Sequence, residues 1–301
     1  MKAAGPEEAL IFDCEDERLV GILHLPQTAS EPEAPADTAV IVIVGGPQYR
    51  AGSHRQFVLL ARALASAGYP VLRFDYRGMG DSSGAVRNFE QVSEDIKAAI
   101  DRLQQRLPSV QRVVLWGLCD GASAALLYAD ATHDTRVSGA CLLNPWIRSD
   151  ASLATTQLKH YYTRRLLAPD FWVKLFSGRV ASGAMIELGQ KVCLAATGRS
   201  CVHAAEAHAV LRDSFQQCMA RGWRRLGKSI LLILSGNDYT AKEFIEHTHT
   251  VETWRDLLAQ QSLQRHTLPN ADHTFSDETA RQAVERRTVD WLNCLRLVTG
   301  V

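Results

Sequence analysis

The sequence predicts an α/β fold with a mostly parallel, eight-stranded sheet, helices on both faces and a helical insertion in its second half. Three observations carry this reading. Short β-branched runs without polar alternation recur at 39–44, 71–75, 113–116, 137–143 and 229–234, the pattern of strands buried on both faces. Segments of helical spacing alternate with them, as parallel strands require a crossover between them. From about 146 to 223 no such strand occurs, and the stretch is rich in Arg, Ala and aromatic residues. The expected organisation is therefore a first part of the core at 1–145, a helical lid insertion at 146–225 and a second part of the core at 226–301.

The elements follow in order. Residues 9–14 and 19–25 read as two strands joined by a turn at 15–18, and 27–37, rich in Pro, Ala and Glu, as an exposed loop. The strand at 39–44 ends at Gly45-Gly46-Pro47. Phe57, Leu60, Leu64 and Ala67 share one helical stripe, and Gly68 stops that helix. A second amphipathic helix is expected over 88–107. The strand at 113–116 runs into Gly117-Leu118-Cys119-Asp120-Gly121, and the small apolar residues at 122–129 suit a helix lying close on a sheet. After the insertion come a strand at 229–234, a helix at 251–260, a strand at 263–268 and a terminal helix at 277–297.

Composition narrows the function. Of 301 residues, 46% are hydrophobic and 22% charged, and the formal net charge is zero. No field of one sign is available to recruit nucleic acid. The longest apolar runs fall far short of the roughly 18 residues a spanning helix needs, so no stable membrane insertion is expected. Residues 1–10 hold no apolar stretch typical of a signal peptide. The seven cysteines (14, 119, 141, 193, 201, 218 and 294) are scattered and form no CxxC. No metal site or disulfide framework is expected, and a reducing cytoplasm is the natural setting.

The chemistry concentrates at 113–121: a strand, then G-x-C-x-G, then a helix. A nucleophile elbow needs small residues on both sides of a strained turn, because the backbone turns sharply and packs closely there. Cys119 occupies the nucleophile position. A helix beginning at this residue directs amide N–H groups and partial positive charge at it, which favours the thiolate. The competing reading is a small cysteine packed between two glycines.

A thiol nucleophile needs a base, and the base an orienting acid. Asp238 lies just past the strand at 229–234, where sites of open α/β sheets collect, although Ser235-Gly236-Asn237-Asp238 also suits a plain turn. Of ten histidines, His273 alone sits between the last strand and the last helix. Asp272 is a second candidate acid, and His54, after the strand at 39–44, a candidate pocket residue. Two amides are expected to form an oxyanion hole: that of Asp120, and one from the loop at 45–48. Pro47 has no N–H, so Gly46 is the first candidate and Gln48 the second.

Together, the elbow at 117–121, Asp75-Tyr76-Arg77-Gly78-Met79-Gly80-Asp81-Ser82, and Ala271-Asp272-His273-Thr274-Phe275 with Asp238 upstream resemble the α/β-hydrolase superfamily across nearly the whole chain. Val44-Gly45-Gly46-Pro47-Gln48-Tyr49-Arg50, Gly117–Gly121 and Ser235–Asp238 further resemble the exosortase A system-associated hydrolase 1 family. The resemblance implies a bacterial, cytoplasmic hydrolase with an α/β-hydrolase fold and no cofactor. Two departures stand out: Val44-Gly45 replaces the usual His-Gly, and Cys replaces the usual Ser.

The expected reaction is cleavage of an ester or thioester of a small acyl substrate through Cys119, His273 and Asp238. Acyl transfer to a sugar or amine and non-catalytic binding of a small molecule are the alternatives. Trp146, Tyr161, Tyr162, Phe171, Trp172, Phe176 and Phe215 are expected to roof an acyl pocket or to bury the insertion against the core. Arg148, Lys159, Arg164, Arg165, Lys174 and Arg179 are expected to hold an acidic carrier or to face solvent. The oligomeric state is left open.

Overall fold

The computed structural model describes residues 5–27, 37–46, 48–148, 213–227, 229–259 and 263–299. Eight strands form one sheet: β1 Glu7–Cys14, β2 Glu17–His24, β3 Thr38–Ile43, β4 Val71–Asp75, β5 Arg112–Leu118, β6 Val137–Leu143, β7 Ile230–Ser235 and β8 Gln264–Leu268. Their order is β1-β2-β4-β3-β5-β6-β7-β8. The pairs β1–β2 and β2–β4 are antiparallel, and every other pair is parallel. Only β2 therefore runs against the rest.

The central strands show why the sheet forms. Every residue of β3, β4 and β7 is buried, as are six of the seven in β5. Residues covered on both faces have no use for polar alternation, and β-branched side chains suit that setting. β1 sits at the edge and alternates buried with exposed, as a half-covered strand must.

Among the described residues, six helices accompany the sheet: α1 Gln56–Ser66, α2 Ser93–Arg106, α3 Asp120–Thr132, α4 Phe215–Leu226, α5 Tyr239–Thr250 and α6 Glu278–Thr299. α1 packs with α6, and α2 and α4 both pack on α3. These two groups are the helical layers on the two faces. α4 approaches α3 closely at Gly222, where a Cβ would lie 2.0 Å from the Leu126 carbonyl oxygen. Trp223 from α4 meets Phe244 of α5 and Trp254 with ring centroids 5.9–6.2 Å apart.

The chain forms two compact units, one of residues 1–147 and 215–301 and one of 148–214. The described strands and helices belong to the first. Most of the expected insertion, 149–212, lies outside the described residues, while 215–226 forms α4. The helix expected at 251–260 is instead α5, ending at Thr250 and followed by a short 3-10 turn at Glu252–Trp254. The reason is local. α5 has a weak apolar face, burying only Thr240, Ala241, Phe244 and Thr248, whereas Val251, Trp254, Leu257 and Leu258 supply helical spacing to a segment that turns. Among the described residues, no helix is long and apolar enough to cross a membrane.

Candidate active site

Cys119 stands between β5 and α3 with φ 59° and ψ −126°, a region that residues other than glycine avoid. Its neighbours make that turn possible. A Cβ on Gly117 would lie 2.4 Å from the Gly121 carbonyl carbon, and one on Gly121 would lie 2.5 Å from the Ile43 oxygen. The elbow is also tied to the end of β6. The Cys119 amide donates to Leu143 O at 2.9 Å and the Trp146 amide to Cys119 O at 3.2 Å, while Ser123 Oγ donates to Trp146 O at 2.6 Å. Cys119 is half-buried. Burial pushes the Cys14 thiol up to about 11 and raises that of Cys141, so neither offers a ready thiolate.

His273 and Asp238 meet as expected, with Nδ1 and Oδ2 2.9 Å apart. The His273 side chain is 34% exposed and that of Asp238 8%. Asp238 does two tasks at once. It accepts from the amides of Thr240 and Ala241 at 3.1 and 3.2 Å, capping α5, and the same carboxylate orients the ring. Burial alone would raise the Asp238 pKa, but the hydrogen bond and charge of His273 and the two amides hold it below its ordinary value. His273 is pushed up to about 10 by its hydrogen bond to Asp238 first and by its hydrogen bond to Cys119 second, against the opposing effect of burial. His273 is thus paired with Asp238 and under the influence of Cys119.

Two backbone ties and one side chain set this alignment. Gly236 N donates to Leu268 O at 2.8 Å and Asn237 N to Ala271 O at 3.0 Å, joining the loops after β7 and β8. Asn144, fully buried just after β6, accepts from Ser235 N at 2.9 Å and donates from Nδ2 to Ser235 Oγ at 2.8 Å and to His273 O at 3.0 Å. Sequence reasoning passed over it. The available signal was a lone Asn closing an otherwise apolar run, Ala140-Cys141-Leu142-Leu143.

The remaining candidates fall in different places. Asp272 accepts from the amide and hydroxyl of Ser276, at 2.9 and 2.5 Å, and pins its own turn. His54 is exposed. The Gln48 side chain accepts from Ser53 N at 3.2 Å and steadies the loop that follows. Gly46 and Asp120 do come together, but through the Asp120 side chain: Gly46 N donates to Asp120 Oδ1 at 2.5 Å.

The loop bearing Gly46 is anchored from the far side. Arg50 N donates to Asp75 Oδ1 at 2.6 Å, and Arg73 donates to Arg50 O at 2.5 Å. The Arg50 guanidinium bridges Asp75 and Asp81. Asp75 also accepts from Asp81 N at 3.1 Å, with Gly80 leaving it room. The Asp75–Ser82 motif therefore braces the Gly45–Arg50 loop, a role its residue pattern alone did not disclose. Among the described residues, no cluster of His, Cys, Asp and Glu is arranged to hold a metal. Of the aromatic residues expected of the insertion, Trp146 and Phe215 are described; Phe215 packs partly buried against the core, edge-on to Phe89 at 5.3 Å. Arg148 is described as well, whereas the other aromatic and basic residues expected of the insertion lie outside the described residues.

A glycine-flanked strand–turn–helix elbow at the carboxyl edge of a mostly parallel sheet, with an Asp–His pair on the loops after the last two strands, defines a class of fold and site. The chain belongs to the alpha/beta hydrolase family, whose model matches residues 40–287. It is 34% identical over 99 residues to an uncharacterised protein of Rickettsia prowazekii, covering 33% of this chain and 40% of that one. It is 32% identical over 133 residues to the quorum-quenching protein AidA of Acinetobacter baumannii, covering 42% of this chain and 40% of that one. The matched regions span less than half the length of these relatives. Among solved structures, an esterase of Pyrococcus furiosus shares the fold, with a TM-score of 0.60 at 17% identity over 96% of this chain and 93% of that one.

Proposed function

We propose that this protein is a hydrolase that cleaves an ester or thioester of a small acyl substrate through Cys119, His273 and Asp238. The observation that carries the reading is the Asp238–His273 pair, 2.9 Å apart, together with a cysteine at the strained turn between β5 and α3 that acts on the same ring. Asp238 raises the basicity of the His273 ring, which takes the proton of the Cys119 thiol as the sulfur attacks the carbonyl carbon. The S–C bond forms as the carbonyl pair moves onto oxygen. When that pair returns, the leaving group departs with its bonding electrons and takes the proton from His273. Water then attacks the thioester, giving its proton to the ring, and the acid leaves as Cys119 is restored. Asp238 keeps the Nδ1 proton on the ring and offsets the imidazolium charge throughout.

The family supports hydrolysis as the reaction type, and the name of the AidA relative, which describes quorum quenching in that protein, is compatible with acyl chemistry. The motifs at 44–50, 117–121 and 235–238 support placement near the exosortase A system-associated hydrolases, and with it a bacterial, cytoplasmic role in which residues of 146–225 select the acyl group. The test is to incubate the protein with p-nitrophenyl and coenzyme A esters of graded chain length. Turnover that is lost at least 10³-fold in Cys119→Ala, with native thermal unfolding retained, supports the reading. Equal turnover in wild type and Cys119→Ala rules it out.

A further inference from the structure

One of the two amides expected to stabilise an oxyanion is already engaged: Gly46 N donates to Asp120 Oδ1 at 2.5 Å. Burial raises the pKa of that carboxyl, and the Gly46 bond opposes the rise. Room for this arrangement exists because residue 45 is glycine: a Cβ there would lie 2.5 Å from Asp120 Oδ1. Beside Gly46, whose φ is +61°, a Cβ would meet nothing within 4 Å among the described residues. The titratable groups facing Asp120 are His273 and Tyr76, with Cys119 next to it in the chain.

We propose that Asp120 is a further catalytic residue of this site: its carboxylate is the resident anion of the oxyanion pocket, and its charge controls how fast Cys119 is acylated. This inference rests on the acyl-enzyme reading above. An oxyanion forming at Gly46 and Asp120 needs the Gly46 donor that the carboxylate holds, and it meets a like charge at close range in a partly dry site, where such repulsion is weakly screened. Acylation therefore requires the carboxylate to turn away or to be neutralised by the incoming substrate. Substrates that bring a hydrogen-bond donor or a cation next to the scissile carbonyl neutralise it directly, whereas plain acyl esters react only as the carboxylate turns away and so acylate the thiol more slowly.

The experiment compares two reactions of one thiol in wild type, Asp120→Asn and Asp120→Ala. p-Nitrophenyl acetate acylates Cys119, forming the S–C bond through an oxyanion and expelling p-nitrophenolate. Iodoacetamide alkylates it by displacing iodide from a saturated carbon, with no oxyanion. The alkylation rate reports nucleophile and access, so the ratio of acylation to alkylation isolates the pocket. A rise of at least tenfold in that ratio in either variant, in protein with native circular dichroism, supports the proposal. A ratio at or below wild type in both variants overturns it and leaves Asp120 as a clamp on the Gly45–Gly46 turn. If iodoacetamide labels Cys119 while the ester leaves no acyl group on it in any of the three proteins, the acyl-enzyme reading fails, and this inference falls with it.

Discussion

Replacing Asp238 with Asn keeps the size of the side chain and an oxygen to cap α5, but removes the charge beneath His273. The raised pKa of the ring, from an ordinary 6.5 to about 10, corresponds to about 5 kcal/mol of preference for the imidazolium at ~1.4 kcal/mol per pH unit. Cys119 shares in that preference, and a ring that is 34% exposed is partly screened by water. Roughly 2–3 kcal/mol is then assignable to Asp238, which predicts a loss of about 10²-fold in kcat/KM for p-nitrophenyl acetate. The assay is steady-state release of p-nitrophenolate from pH 5 to 9, paired with thermal unfolding. The unfolding midpoint should move little, because a cap substitution costs only about 1 kcal/mol. Activity within twofold of wild type across that range refutes the orienting role of Asp238.

Four further outcomes are expected. Asp272→Asn should retain activity within about twofold, since that carboxylate is committed to Ser276; a hundredfold loss in the same p-nitrophenyl acetate assay shows that the wrong acid was chosen. Asn144→Ala strips Ser235 N and His273 O of buried partners and should cost about 2–4 kcal/mol in urea unfolding, with kcat falling more than KM rises. Gly121→Ala drives a Cβ to within 2.5 Å of the Ile43 oxygen, and the backbone has little freedom to yield, so we expect at least ~3 kcal/mol of destabilisation or failure to fold on expression. A group whose pKa is raised by folding stabilises the native state fully below its unfolded value and ceases to do so as pH rises through its folded value. Wild type should thus lose more of its unfolding midpoint between about pH 6.5 and about pH 10 than His273→Gln does, and parallel curves contradict the pairing.

The sheet was legible because its central strands are buried on both faces and carry that burial as unbroken apolar runs; the local order of strand, G-x-C-x-G and helix then located Cys119. Asp238 and His273 were legible through chain order, each following a strand. Asp238 shows that the turn reading and the site reading were compatible, since one carboxylate caps α5 and orients His273. α5 was misplaced because tertiary capping and a few contacts, not amphipathic spacing, hold Tyr239–Thr250 in a helix. Asn144 escaped notice because its value lies in two loops that approach it only in the folded chain. The bond from Gly46 to Asp120 was hidden for the same reason: residue types located both groups, but a side-chain rotamer decided that one amide would serve the other residue's carboxylate.

Peptide mapping of the protein quenched within its first turnover with a p-nitrophenyl ester addresses the convergence of sulfur, imidazole and carboxylate most directly. An acyl mass confined to the peptide bearing Cys119, rising with reaction time within the first turnover and preserved by the acid quench, is the result this account predicts. Product formation with that peptide unmodified at every time point, or acyl mass on another residue, contradicts it.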